Sequence, residues 1–269
     1  MRLFGKKRAG YQNVFCRKGY IMIKREYFKD VDYKPFLFYV IFGVRGDQLQ
    51  VSASKHHVDG FPEGLEMHGL NRLEHGDYID GFFSGSMGDI LRSQNANLYE
   101  KCRSASDCVV IRGDVMQDDT LDYMQNVIGI GKAFFDQGAV GILDVLTFSM
   151  FSEEKWTEKF FEQEINAQNH VTILVSEENG GYWLHTRGLI EFGRPDLSMH
   201  AKDDAGIEEC RQIFNQMIFY SGQGVFFNGE VNLHTHSGNS YTVKATFVND
   251  FDNDDFNNAY CNVEIVSYK

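Results

Sequence analysis

Apolar residues near the N-terminus come in short runs whose spacing predicts β-strands. Residues 36–44 form the longest apolar run and residues 48–53 form a second, with Arg45-Gly46-Asp47 between them. Two such runs joined by three residues that include glycine are typical of a β-hairpin. Residues 54–88 then carry seven glycines and four histidines with little periodicity. This stretch is therefore predicted to be a polar loop with short strands around residues 78–83.

From residue 107 onward, strand-like and helix-like patterns alternate. The expected elements are a strand at 107–113, a helix that Asp119 or Thr120 caps and Gly138 ends, a strand at 139–146, a helix at 153–164 that Ser152 caps, and a strand at 171–175. The helices are predicted from apolar stripes at helical spacing and from polar side chains that can accept from the free N–H groups of a first turn. This order predicts at least one crossover unit packed against a sheet.

The C-terminal part predicts a third helix and an antiparallel tail. The expected elements are a strand at 182–190, a turn at 193–196, a helix at 207–220 and strands at 230–236, 241–248 and 259–268. Together the patterns predict an α+β fold, with a mixed or antiparallel sheet and about three to four helices packed on it. We expect two parts: a β-rich N-terminal region of unassigned role at residues 1–106, and an α+β domain at residues 107–269.

Charge and composition narrow the class of partner. The chain has 26 lysines and arginines against 38 aspartates and glutamates, a formal net charge of −12. Such a field repels phosphate backbones, so nucleic acid is not an expected partner. It favours a basic protein instead. No apolar run is long enough to span a bilayer, and the charged N-terminus lacks the apolar stretch of a signal peptide. Five scattered cysteines, an odd number, favour reduced thiols and the cytoplasm.

Three segments together resemble a known family. They are residues 138–144 (Gly-Ala-Val-Gly-Ile-Leu-Asp), residues 183–197, which include Gly-Leu-Ile-Glu-Phe-Gly-Arg-Pro-Asp-Leu, and the helix that leads to residues 222–229. This pattern resembles the bacterial domain-of-unknown-function family 4261 over residues 110–269, with Asp196 where that family has glutamate. The family has no established activity, so the resemblance implies a lineage and no mechanism.

The same stretch concentrates polar side chains that could bind an anion. His185, Arg187, Glu191, Arg194 and Asp196 lie within twelve residues. In an extended strand, His185 and Arg187 project from one face, and two guanidinium groups could hold a carboxylate or phosphate bidentately. Alternatively, Arg187 pairs with Glu191 or Asp196 while glycine and proline shape a turn. The first alternative gives one functional hypothesis, a small anionic ligand bound at His185, Arg187 and Arg194.

A histidine pair near the C-terminus could chelate a metal. His234 and His236 are two apart in a predicted strand, a spacing that suits zinc. His185 and Asp144 are the candidate third ligands, and Asp144 or Glu191 could act as base. These residues give a second hypothesis, a metal-dependent hydrolase. The alternative is a strand whose histidines face solvent.

No complete catalytic set can be assembled from sequence, so no catalytic residue or cofactor is predicted. Gly129-Ile130-Gly131-Lys132 is similar to a phosphate-binding loop, but it lies within a helical pattern and Ala133 replaces the required serine or threonine. The leading hypothesis is therefore a protein-binding domain, extending to an immunity-type role, whose acidic and aromatic surface recognises a basic protein. Nothing in the sequence predicts the oligomeric state.

Overall fold

Two β-sheets organise the fold in the computed structural model of the chain, which describes residues 16–17, 20–21, 34–116, 119–178, 180–234, 238–248, 256, 258 and 262–268. The strands are β1 (Cys16–Arg17), β2 (Tyr20–Ile21), β3 (Phe36–Phe42), β4 (Leu65–Asn71), β5 (Asp107–Asp114), β6 (Gly141–Asp144), β7 (Ser149–Phe151), β8 (Thr172–Glu178), β9 (Gly181–Arg187), β10 (Asp196–Ala201), β11 (Gly229–His234), β12 (Ser240–Val248) and β13 (Asn262–Tyr268).

Helices of unequal length connect these strands. They are α1 (Ala53–His56), α2 (Arg72–Gly81), α3 (Gly85–Gln94), α4 (Ala96–Arg103), α5 (Asp122–Phe135), α6 (Glu153–Trp156), α7 (Ala167–His170) and α8 (Asp204–Gly222). A π-helical turn, Thr157–Phe161, continues α6. Two 3-10 turns, Gly46–Gln48 and Leu189–Phe192, follow β3 and β9. Within the described residues, no helix has the length and apolarity needed to cross a membrane.

The five-stranded sheet has the order β4-β5-β3-β6-β7, and every neighbouring pair in it is antiparallel. Because β5 and β6 both run antiparallel to β3, they are parallel to each other, and α5 makes the crossover between them. This confirms the crossover unit predicted from residue 107. The predicted hairpin of residues 36–44 with 48–53 is wrong, since β3 lies between β5 and β6 while a 3-10 turn and α1 take up the chain after it.

The six-stranded sheet has the order β11-β12-β13-β10-β9-β8. Strands β10 and β13 pair in parallel, and the other neighbours pair antiparallel. Helix α8 makes the connection from β10 to β11 and covers one face of the sheet, where Leu184 and Met199 join Ile213 and Phe214 in the core.

The uninterrupted apolar run of residues 36–42 is explained by the position of β3, because both faces of this strand are buried. Leu37, Tyr39 and Ile41 point to the main core, which lies between the two sheets and includes α5 and α8. Val40 and Phe42 point to a second core on the opposite face, which α2, α3 and α4 cover.

The α+β class is confirmed, but the predicted helix count is wrong, since eight α-helices lie within the described residues. Four of them, α1 to α4, fall in residues 53–103, so this stretch is neither the predicted loop nor β-rich. The predicted boundary at residues 106 and 107 separates β3 and β4 from β5, although these three strands are neighbours in one sheet. The helices α2 to α4 were not predicted because all three are short, α2 and α3 contain glycines, and α2 is kinked at His75.

Helix α5 contains the glycines of the loop-like motif, and their role is close packing. A Cβ at Gly129 would overlap the carbonyl oxygen of His56, and one at Gly131 would lie 2.7 Å from the Trp156 ring. The indole N–H of Trp156 donates to the Ile128 carbonyl at 3.0 Å. The glycines therefore let α1 and α6 approach the helix.

We expect Gly129→Ala to lower the free energy of unfolding by about 3 kcal/mol, because the added methyl overpacks a helix contact. Alanine otherwise favours a helix over glycine by about 1 kcal/mol. Gly76→Ala in α2 is the matched control, since its Cβ meets open space. Urea unfolding of both variants checks this, and equal stability of the two would contradict the packing role.

Candidate functional site

The stretch from His185 to Asp196 forms a buried turn at the end of β9. Gly188 has φ +114° and Gly193 φ +63°, and these two glycines flank the 3-10 turn Leu189–Phe192. A Cβ at Gly188 would lie 2.5 Å from the His170 carbonyl oxygen as well as in a strained conformation. Glycine is therefore required where the chain passes α7.

The Asp196 carboxylate accepts hydrogen bonds from other residues of this turn. Its Oδ1 accepts from the Thr186 hydroxyl at 2.8 Å and from the Leu189 N–H at 3.3 Å, and its Oδ2 accepts from the Asn258 amide at 2.8 Å. Burial raises the pKa of Asp196 to about 6, and these hydrogen bonds oppose that rise. The carboxylate therefore stabilises its own turn through the Leu189 N–H and the Thr186 hydroxyl, and it links the turn to Asn258.

His185 and Arg187 project from the same face of β9, as the strand alternation predicts, but both side chains are covered. Arg187 donates from Nε to the Leu146 carbonyl at 3.1 Å, and its guanidinium lies 3.9 Å from the centroid of the Phe148 ring. The His185 ring lies 4.3 Å from that of Trp183 and 5.5 Å from that of Phe256. Only 2% of His185 and 3% of Arg187 are exposed.

Arg194 binds backbone carbonyls. Its Nε donates to Val225 at 3.1 Å, one terminal nitrogen donates to Gly193 at 2.6 Å, and the other donates to Gly224. Gly224 and Val225 come just after α8. The guanidinium thus ties the turn at Gly193 to the end of that helix, where carbonyl groups lack helical partners.

Glu191 and Asp144, both candidate bases from sequence, lie in a buried acid cluster, which we define as Tyr39, Asp144, His170 and Glu191. The Tyr39 hydroxyl donates to Glu191 Oε1 at 2.9 Å, and His170 Nδ1 lies 3.3 Å from Oε2. Asp144 Oδ1 accepts from the Leu146 N–H at 2.9 Å. Glu191 is 0% and Asp144 3% exposed. The cluster joins β3, β6, α7 and the 3-10 turn after β9.

Burial governs protonation in this cluster. It raises the pKa of Glu191 to about 8, and together with the Glu191 charge it raises that of Asp144 well above its usual range. It also lowers the pKa of His170 to about 3. At neutral pH the 3.3 Å contact between His170 Nδ1 and Glu191 Oε2 therefore joins two uncharged side chains, because both charges would lose their hydration inside the protein.

The cluster contains groups suited to acid–base chemistry but offers no route to them. Two carboxyl groups with raised pKa values beside an imidazole are a recurring arrangement at catalytic sites. Here the side chains are buried among the two sheets, so they are out of reach of a dissolved substrate in this conformation. Sequence reasoning missed Tyr39 and His170, because a tyrosine inside an apolar strand and a histidine after a short helix carry no distinctive spacing.

The candidate metal ligands do not converge. His234, on β11, is exposed, and its Nδ1 lies 2.9 Å from the Ser240 hydroxyl. Three strands separate β11 from β9, which at about 4.8 Å per strand places His185 roughly 19 Å away. Asp144 belongs to the other sheet, and His236 lies outside the described residues. Within the part of the chain that the structure describes, no three His, Cys, Asp or Glu side chains are grouped to hold a metal.

A surface feature stands out instead, and we call it the acidic edge: strand β4, the preceding residues 59–64 and helix α2 as far as Asp80. Four apolar side chains are exposed there, with exposed fractions of 44% for Phe61, 37% for Met67, 99% for Leu73 and 46% for Tyr78. Six carboxylates are exposed in the same stretch: Asp59, Glu63, Glu66, Glu74, Asp77 and Asp80. The stretch has one arginine, Arg72, and it binds Asp80. The predicted loop is thus a strand and helix with an acidic, partly apolar surface.

Comparisons with known proteins add no relative: no family model, curated protein or solved structure matches this chain. The resemblance to domain-of-unknown-function family 4261 accordingly stays a prediction.

Glu191→Gln should change the pH dependence of stability. An acid whose pKa rises on folding destabilises the folded state as pH increases from its ordinary pKa to its folded one. For Glu191 this window runs from 4.5 to about 8. Glutamine has no such titration, so the variant should gain on wild type by on the order of several kcal/mol across the window.

Urea unfolding at a series of pH values across this window measures that difference. The lowered pKa of His170 has the opposite effect on stability, because a histidine that stays neutral in the folded state destabilises the fold as pH falls below 6.5. His170 is present in both proteins, so this effect is common to them. A stability difference that stays constant with pH would show that Glu191 titrates normally and that burial does not control it.

Arg187→Ala distinguishes a structural arginine from a ligand-binding one. We expect a loss of about 3 kcal/mol in the free energy of unfolding, because the Leu146 carbonyl and the Phe148 ring both lose their partner. Arg45→Ala is the control, since that side chain is 63% exposed, and it should change stability by less than about 0.5 kcal/mol. If inorganic phosphate stabilises wild type, and Arg187→Ala removes only this effect, the anion-binding alternative is correct.

Proposed function

We propose that the chain is a protein-binding domain and that it recognises a basic partner protein through the acidic edge. The observation that supports this most directly is Leu73, which is 99% exposed on a folded helix. Single exposed leucines are ordinary on protein surfaces. Here, however, Phe61, Met67 and Tyr78 are exposed in the same short stretch, and apolar surface rimmed by charge is typical of interaction sites.

Electrostatics supports a partner of positive charge. The whole chain carries −12, and the six carboxylates of the acidic edge add a local field of the same sign. Such a field speeds the encounter with a basic protein and disfavours acidic competitors. An immunity-type role fits this proposal, since toxins and nucleic-acid enzymes commonly present basic surfaces to their own substrates.

The buried polar residues of the interior support the same proposal. The candidate residues for anion binding or hydrolysis form hydrogen bonds within the chain. Arg187 donates to the Leu146 carbonyl, and Arg194 donates to the Gly224 and Val225 carbonyls. Asp196 accepts from the Thr186 hydroxyl. Their burial and internal hydrogen bonds favour a structural role over catalysis or ligand binding.

Cysteine burial favours the cytoplasm as the compartment of this function. Cys102, Cys108 and Cys210 are buried free thiols, and burial raises the pKa of Cys102 and Cys108 to about 12. Reduced buried thiols of this kind are usual in a reducing compartment.

Leu73→Ser tests the proposal. A tagged wild-type chain is used to capture its partner from the native host, the partner is identified by mass spectrometry, and its affinity for purified variants is then measured by titration. Burying a leucine in an interface contributes about 1.5–3 kcal/mol, so the variant should bind roughly ten- to a hundredfold more weakly. Asp77→Lys should weaken binding as well, and should reduce its dependence on salt.

Val266→Ser is the matched control, because Val266 is 47% exposed but lies on the six-stranded sheet. It should bind the partner as wild type does. Two results would sink the proposal: no stoichiometric protein partner, or a partner whose affinity Val266→Ser lowers while Leu73→Ser leaves it unchanged.

A further inference from the structure

Strand β4 is an open edge of the five-stranded sheet. It pairs with β5 on one side, and no other described strand pairs with it on the other. The opposite edge of this sheet, β7, is only three residues long and mostly buried. Of the two edges, β4 is therefore the one that can accept another strand.

The register shows which backbone groups face outward. The Arg72 N–H donates to the Ser106 carbonyl at 2.9 Å, and this pair continues the β4–β5 register, in which Asn71 lies opposite Asp107. Hydrogen-bonded and non-bonded pairs alternate along an antiparallel ladder. Even-numbered residues of β4 therefore bond to β5, and the N–H and C=O groups of Met67 and Gly69 point away from the sheet.

The side chains along this edge leave it accessible. Residues 66–69 are all exposed, and a Cβ at Gly69 would meet nothing within 4 Å. Met67 offers an apolar contact within the strand, while Phe61 and Leu73 offer apolar contacts beyond its two ends. The seven residues of β4 span roughly 24 Å, which is enough for a partner strand of similar length.

We propose that β4 binds an extended, basic segment of a partner protein, which adds a sixth strand to the sheet. This inference rests on the proposed function and specifies how the partner docks. Main-chain hydrogen bonds to Met67 and Gly69 hold the segment, and its apolar side chains pack against those of the acidic edge. Its lysines or arginines meet the carboxylates, among them Glu63, Glu66 and Glu74.

Charge also selects this occupant over a second copy of the chain. Two β4 strands paired edge to edge would bring together two copies of Glu66 and of the five flanking carboxylates, and like charges close to each other destabilise such a pair. The nearby cations do not reverse this sign. Arg72 is held by Asp80, while Arg112 on β5 lies opposite Glu66. A basic segment satisfies both the backbone and the charge of the edge.

Gly69→Pro, with Gly69→Ala as its matched control, tests strand addition directly. Proline removes the outward N–H and places its ring on the open edge, whereas the ladder to β5 uses the even-numbered residues. Alanine keeps the N–H and fits the open space. Circular dichroism and urea unfolding of both variants confirm that each is folded before binding is measured.

The probe is a fluorescent peptide of the same length as β4 that alternates lysine and valine; a glutamate–valine peptide is the control. The lysine peptide should bind wild type and Gly69→Ala equally, and Gly69→Pro at least tenfold more weakly, while the glutamate peptide should not bind. Amide hydrogen exchange at Met67 and Gly69 should slow when the lysine peptide is bound. Equal binding to Gly69→Pro and Gly69→Ala, or no binding of the lysine peptide to wild type, would overturn strand addition.

Failure of this mode can be told apart from failure of the proposed function. A captured partner whose affinity falls with Leu73→Ser but not with Gly69→Pro would keep the acidic edge as the binding surface and reject the added strand. If sedimentation shows a dimer of the chain that Gly69→Pro dissociates, the edge belongs to a second copy and the basic segment is rejected.

Discussion

A buried hydrogen bond between Tyr39 and Glu191 constrains how the two sheets can be arranged. Tyr39 lies on β3, the central strand of one sheet, and Glu191 lies in the turn that follows β9 of the other. Neither side chain can turn to water, since they are 3% and 0% exposed, so the Tyr39 hydroxyl needs an acceptor inside the protein, which Glu191 provides from the other sheet. Separating the sheets without solvent entry would leave both groups unsatisfied, at a cost of about 1–3 kcal/mol for each.

The chemistry of the turn after β9 follows from this constraint. To deliver Glu191 to Tyr39, the chain must leave β9, reverse and enter β10 inside the protein, where its backbone groups cannot bond to water. Gly188 and Gly193 provide the conformations, Asp196 accepts the Leu189 N–H, and Arg194 binds the carbonyls beyond α8. A polar, charge-rich sequence that resembles a ligand site is therefore what a buried reversal of this kind requires.

Local patterns predicted much of the secondary structure but little of its pairing. The helix before Gly138, the helix capped by Ser152, the long helix that ends at Gly222 and the tail strands were predicted from capping residues and periodicity, which act within one element. The predicted N-cap of the first of these helices is wrong, because Leu121 takes that position instead of Asp119 or Thr120. The partners of β3 were not, because strand pairing is a long-range choice that the strand's own residues do not specify. The same reason applies to the site. Asp144 and Glu191 were named from sequence, but 152 residues separate Tyr39 from Glu191, and no local spacing relates them.

The edge strand β4 differs from the interior, because its outward backbone N–H and C=O groups are not paired with another described strand. An edge strand that is accessible to solvent can pair with any other extended chain. Charged side chains on the strand are one protection against such pairing. On β4 and its flanks nearly all of that charge is negative, which suppresses pairing between copies of the chain but not pairing with a cationic strand. Under the proposed function, the carboxylates that disfavour pairing between copies of the chain also define the sign of the partner. An edge protected by lysines would favour the opposite class of protein, one with an acidic surface.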